Sequence, residues 1–164
     1  MSWGRKLVAI GAAVVLSASL VGSGSAEQST RDGDWATWQK DLAGSRYAAA
    51  EYRINAKNVK KLKLKWAFAY PKTENTLVRS APAVVGDTIY FGGSDGKFYA
   101  RNARDGAAKW EFDLTSVDPE GRAVVWDNPA VENGKVYFGD ARGYLYALDA
   151  RTGALRTSVF SVFG

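Results

Sequence analysis

YFGGSDGKFYARNARDGAAKW, residues Tyr90–Trp110, returns as YFGDARGYLYALDARTGALRT, residues Tyr137–Thr157, at a constant offset of 47 residues and without a gap. Carried back to Pro82 and Pro129, the two copies agree at nearly half of their positions, chiefly Pro, Ala, Val, Tyr, Phe and Gly. A period between about 20 and 50 residues marks solenoids, propellers or arrays of small supersecondary units. The pattern inside each copy decides among them. The first copy breaks into four strand-like runs, SAPAVV, TIYFGG, KFYARN and AKWEFDL, separated at Gly86-Asp87, Asp95-Gly96 and Asp105-Gly106. In the second copy Asn133-Gly134, Arg142-Gly143 and Thr152-Gly153 stand at or beside the same places. Short connections of this kind favour the hairpin turns whose twist suits antiparallel strands. A helical repeat would need apolar residues at 3.6 spacing over ten or more positions, and no window after Trp66 supplies that. Four short antiparallel strands per unit make a β-propeller blade, so the fold class is all-β.

The first 26 residues are of another kind. Arg5 and Lys6 precede an uncharged stretch of apolar and small residues from Leu7 to Val21, and Gly24-Ser25-Ala26 offers a small-residue cleavage site. That order predicts a secretory signal peptide over residues 1–26, cleavage after Ala26, and export to the periplasm or the extracellular space. The stretch is short of the roughly 20 apolar residues that span a bilayer, so no stable membrane anchor is expected.

Arg5 and Lys6 are the only charged residues before Glu27, and their loss lowers the net charge from +5 to +3. The remaining basic residues gather in KNVKKLKLK, Lys57 to Lys65, which reads as a solvated strand or loop entry rather than a nucleic-acid surface, because the excess is small and local. Cysteine and histidine are absent. Their absence excludes disulfides, Cys- or His-based zinc sites, c-type haem attachment and Ser-His or Cys-His catalysis within this sequence.

The repeat resembles the pyrroloquinoline-quinone (PQQ) repeat family, whose blade motif is roughly Ala-x-Asp-x-x-Thr-Gly-x-x-x-Trp. Ala147, Asp149, Thr152 and Gly153 match it, with Thr157 in place of Trp; Ala100, Gly106 and Trp110 match it in the first copy, with Asn102 and Asp105 as departures. The resemblance implies that the motif Trp docks between neighbouring blades. Lys65-Trp66-Ala67-Phe68 parallels Lys109-Trp110-Glu111-Phe112, so Trp66 is read as ending the outer strand of a preceding blade. Upstream, Trp35, Trp38, Asp41, Arg46, Asn58, Val59 and Leu62 resemble the entry segment of quinoprotein dehydrogenases. Within the family the look is that of the polyvinyl-alcohol-dehydrogenase-like branch. Methanol-type members carry Glu where Arg79 stands, and adjacent cysteines that this chain lacks.

The expected organisation is therefore an incomplete propeller region over residues 27–164. It comprises an entry segment and outer strand over 27–70, a blade over 78–114 and a shortened blade over 123–164. The resemblance implies an eight-bladed parent that oxidises an alcohol with PQQ beside calcium; about two and a half blades are present. No residue matches the family's catalytic Asp or its metal ligands, so no catalytic residue is assigned. Arg79 is the candidate for cofactor contact, because it enters the innermost strand before Ser80-Ala81-Pro82 and Arg can grip a carboxylate through two parallel hydrogen bonds. The alternative for Arg79 is a solvated arginine lining the channel. Asp95 and Asp140 read as turn residues rather than metal ligands. For the parent, a non-catalytic scaffold propeller of the cell envelope stands as the alternative to the dehydrogenase. For these 164 residues alone, a shortened and inactive form is expected. It would hold PQQ poorly and either need further blades or self-associate. Tyr90, Phe98, Tyr99 and Trp110 are the expected core of the first blade, and Tyr137, Leu145, Tyr146 and Leu148 that of the second.

Overall fold

The computed structural model describes residues 33–71, 77–120 and 124–160. The expected signal peptide lies outside them. The polypeptide forms two four-stranded antiparallel sheets, each a meander in chain order. The first holds β1 (Ala83–Val85), β2 (Thr88–Gly92), β3 (Lys97–Asn102) and β4 (Ala108–Asp113); the second holds β5 (Ala130–Glu132), β6 (Lys135–Gly139), β7 (Tyr144–Asp149) and β8 (Leu155–Phe160). Registers repeat from one sheet to the next: Tyr90 faces Ala83 and Ala100, and Tyr137 faces Ala130 and Ala147. Even the irregularity recurs, as a shift beside Ala100 in one sheet and beside Ala147 in the other.

The turns set these registers. Asn133 and Gly134 both have positive φ, 49° and 72°, the pairing that a type I′ hairpin requires between Glu132 and Lys135. Among the described residues there is no α-helix; the two helical turns, Val59–Lys61 and Leu114–Ser116, are 3-10. No helix among them is long and apolar enough to cross a membrane.

Alternation along β3 gives the first sheet two apolar faces. Phe98 and Ala100 on one face are buried against the second sheet, where the Phe98 and Phe138 rings stack with centroids 3.9 Å apart. Phe138 in turn stacks on Tyr146 at 4.9 Å. Each such aromatic removes enough apolar surface to contribute about 1.5–3 kcal/mol. Tyr99, on the other face, packs with Phe91 against Phe68 and Tyr70 of the upstream segment. Blades are thus held by what covers both of their faces.

One expectation needs correction. Leu145 is not core: it is 52% exposed. Leu145 shares a face with Ala147, the counterpart of Phe98 with Ala100, and nothing among the described residues lies over that face at Leu145. Tyr137 is half-buried, while Tyr146 and Leu148 are buried as expected. The segment from Leu62 to Tyr70 pairs with no strand among the described residues. It docks instead through alternate side chains: Trp66, Phe68 and Tyr70 are half-buried, whereas Leu62 and Leu64 are exposed. The lysines from Lys57 to Lys65 all face solvent.

The entry segment closes the inner edge. Trp35 and Val84 exchange backbone hydrogen bonds at 2.6 and 2.8 Å, and the Ala36 carbonyl accepts from the Val131 amide at 2.9 Å. Asp34 Oδ1 accepts from the Gly86 amide at 2.8 Å. Asp34 and Ala36 are buried in consequence.

Candidate functional site

The two connections that enter β1 and β5 define one end of the sheets. Val125 is buried on Gly92: a Cβ at Gly92 would meet the Val125 side chain at 2.2 Å. One repeat later, a Cβ at Gly139 would meet the Asp127 carboxylate at 2.3 Å. Glycine ends β2 and β6 because the incoming chain crosses there. Val125 also forms an isolated bridge with Asp140, and the Ala141 amide donates to the Val124 carbonyl at 2.9 Å. The β2–β3 turn, the β6–β7 turn and both entry segments therefore share this end.

Arg79 is exposed there, with its guanidinium carbon 4.8 Å from the centroid of the Trp126 ring. That is within cation–π range. Among the described residues no ion pair includes Arg79. Two residues further on, the Ala81 amide donates to Asn128 Oδ1 at 2.6 Å and ties the two entry segments together. Arg79 and Trp126 stand 47 residues apart, at equivalent repeat positions, and here they meet.

Asp95 and Asp140 lie in turns, as expected, and each also accepts a tyrosine hydroxyl. Tyr99 Oη donates to Asp95, and Tyr146 Oη donates to Asp140 Oδ2 at 2.8 Å. Tyr99 and Tyr146 are repeat equivalents, but their acceptors are not. Asp140 occupies the position of Gly93, and Asp95 occupies that of Arg142. A Cβ at Gly93 would meet Asp95 Oδ1 at 2.1 Å, so glycine there makes room for the displaced carboxylate. Burial, and then the adjoining carboxylate, pushes both phenols well above the ordinary tyrosine range. Tyr70, which donates to the Gly92 carbonyl at 3.1 Å, is pushed up to about 12 by burial and the Asp95 charge. The sequence signal for this arrangement was present: the same Tyr in both copies, with one Asp in each preceding turn.

Further out, the blades interlock through tryptophan. Trp66 Nε1 donates to the Ala103 carbonyl at 3.1 Å and its ring lies on Gly106; Trp110 Nε1 donates to the Ala150 carbonyl at 3.0 Å and its ring lies on Gly153. Thr157 takes the equivalent place in β8 and is exposed.

No three His, Cys, Asp or Glu side chains come together among the described residues in a way that could hold a metal ion. Arg79 offers an exposed guanidinium, a group able to grip a carboxylate through two parallel hydrogen bonds, with one face against an aromatic ring.

Paired meanders interlocked by tryptophan are blades of a β-propeller. The model of the PQQ glucose/ethanol/alcohol dehydrogenase β-propeller domain matches residues 35–164, and the chain belongs to that family. It is 32% identical over 91 residues to a polyvinylalcohol dehydrogenase of a Pseudomonas species, a match covering 56% of this chain and 14% of that protein. Over 83 residues it is 35% identical to the quinohemoprotein alcohol dehydrogenase of Comamonas testosteroni, covering 51% of this chain and 11% of that protein. The crystal structure of a quinohemoprotein alcohol dehydrogenase from Comamonas testosteroni superposes with a TM-score of 0.68 at 34% identity, over 85% of this chain and 21% of that one. The chain thus spans a small part of the length of the relatives it matches.

Proposed function

We propose that these blades belong to an exported PQQ-dependent alcohol dehydrogenase, and that Arg79 contributes to holding the quinone at the end of the sheets where the entry segments arrive. The observation that carries this reading is the exposed Arg79 guanidinium on Trp126, at a position inside the family match. When bound, PQQ supplies a two-electron acceptor for oxidation of an alcohol to a carbonyl compound. Arg79 neutralises and orients a carboxylate of the quinone, and Trp126 shields one face of the guanidinium from water. These residues include no position that matches the family's catalytic Asp. Taken alone, the 164 residues are therefore read as inactive. Export rests on the charge, apolar run and small residues that precede Glu27.

The test is dye-linked oxidation of polyvinyl alcohol and short secondary alcohols by the whole protein that carries these blades, purified from its native source, with PQQ and calcium supplied. Quinone-dependent dye reduction supports the reading. A preparation that retains no quinone and shows no quinone-dependent turnover overturns it in favour of a scaffold propeller.

A further inference from the structure

Arg79 and Trp126 are the same position of two successive repeats, and each stands three residues before a proline, Pro82 and Pro129. The residue before proline is driven to extended backbone, so Ala81 and Asn128 are extended for the same reason. The hydrogen bond between these two pre-proline residues fixes the separation of the entry segments. Side chains two residues apart on extended chain point the same way. Arg79 and Trp126, each two residues before a member of that bond, are thereby brought face to face.

The support under Trp126 is rigid while its ring is open. Val125 before it is buried on Gly92, Asp127 after it abuts Gly139, and Asn128 holds Ala81. The indole itself is 45% exposed, and among the described residues no aromatic ring packs on it. An exposed ring on a clamped backbone is a platform. A long arginine side chain loses much of its rotamer freedom on such a platform before any anion arrives.

We propose that Trp126 is a positioning residue for Arg79: its ring takes the face of the guanidinium and leaves the N–H edge free for a planar carboxylate. The quinone part of this inference rests on the reading in the preceding subsection; the stacking part does not.

The experiment has two arms, both on the whole protein that carries these blades, purified from its native source, and its W126F, W126L and R79A variants. In the first, the chain is labelled with 15N-arginine and no ligand is added. The Arg79 Nε–H proton, assigned by its loss in R79A, is expected upfield of the other arginine side-chain signals because it lies under the indole. W126L should return it to the unstacked position, and W126F should keep part of the shift. An Arg79 signal unchanged in W126L overturns the positioning role. Unchanged backbone amides of Arg101 in β3 and Arg156 in β8 report that the variants remain folded. In the second arm, PQQ with calcium is titrated and the change in affinity is read as a cycle. W126L is expected to weaken binding three- to tenfold in the native background and to change nothing further in R79A. Equal losses in both backgrounds overturn coupling through Arg79. A shifted Arg79 signal combined with R79A binding equal to native supports the stack and overturns the quinone assignment.

Discussion

The ring of Trp110 in the first blade lies directly on Gly153 of the second. A Cβ built at Gly153 would come within 2.7 Å of the indole Cδ2 and Cε3. The same backbone has a φ of 74°. Two demands meet at one residue: left-handed backbone and no side chain.

Gly153→Ala should therefore cost more than a turn glycine with open space. Gly134, at φ 72°, has nothing within 4 Å of its built Cβ. Gly134→Ala is expected to destabilise by about 1 kcal/mol through backbone strain alone. Gly153→Ala and Gly106→Ala add a clash with Trp110 and Trp66, for a total of roughly 2–4 kcal/mol. Urea midpoints compared across the three variants check this; equal losses would show that the tryptophans do not depend on these glycines.

Alkaline pH should unfold the blades before their inner tyrosines ionise. A phenol whose folded pKa is raised binds its proton more tightly in the native state. Its contribution is fully present below the unfolded value of about 10 and is lost as pH rises through the folded value. Tyr70, Tyr99 and Tyr146 all shift upward, Tyr70 to about 12, so stability should decline from about pH 10 upward. Tyrosinate absorbance should rise in two stages, the later one coinciding with loss of circular dichroism. Tyr146→Phe should remove part of that pH dependence, at a cost near neutrality of about 1 kcal/mol for the lost hydrogen bond to Asp140.

The 164 residues by themselves are expected to associate. Leu145 and Val159 on the second sheet are 52% and 56% exposed, and Leu64 on the entry segment is 85% exposed. Adjacent apolar faces of this kind draw proteins together. Light scattering on residues 27–164 should show species larger than a monomer, and L145E with V159K should shift them towards monomer. A monodisperse, cooperatively melting monomer that holds PQQ stoichiometrically would defeat both this expectation and the inactive reading.

Processing should leave Glu27 at the N-terminus. Mass spectrometry of exported material is the measurement, and a full-length product retained in the membrane is the adverse result.

The blade pattern was legible because turns carry the sequence signal: Asn133-Gly134 and Asp105-Gly106 fix hairpins wherever they occur. Burial was legible only where the neighbour is itself a repeat. Phe98 and Leu145 occupy the same position, yet one is covered by Phe138 and the other is open. A repeat specifies a face, but what covers it is a separate fact. The Tyr–Asp pairs were only half legible: each copy has the Tyr and an Asp in the preceding turn, but the carboxylate moves by two residues between copies while the phenol stays. Arg79 was found by its place before the first strand. Its partnership with Trp126 depends on the spacing between blades, which the Ala81–Asn128 bond sets and no local pattern announces.

The bond from Val131 to Ala36 has a consequence for how the polypeptide matures. Val131 follows Ala36 by about 95 residues, so this contact closes a long loop, and such closures come late and slowly. Trp35 can meet Val84 earlier, but Ala36 has no acceptor role until the second blade is in place. The segment around Ala36 is therefore the last part of the inner edge to be locked. A chain made from its N-terminus onward thus leaves its leading segment half-anchored until its distal blade has formed.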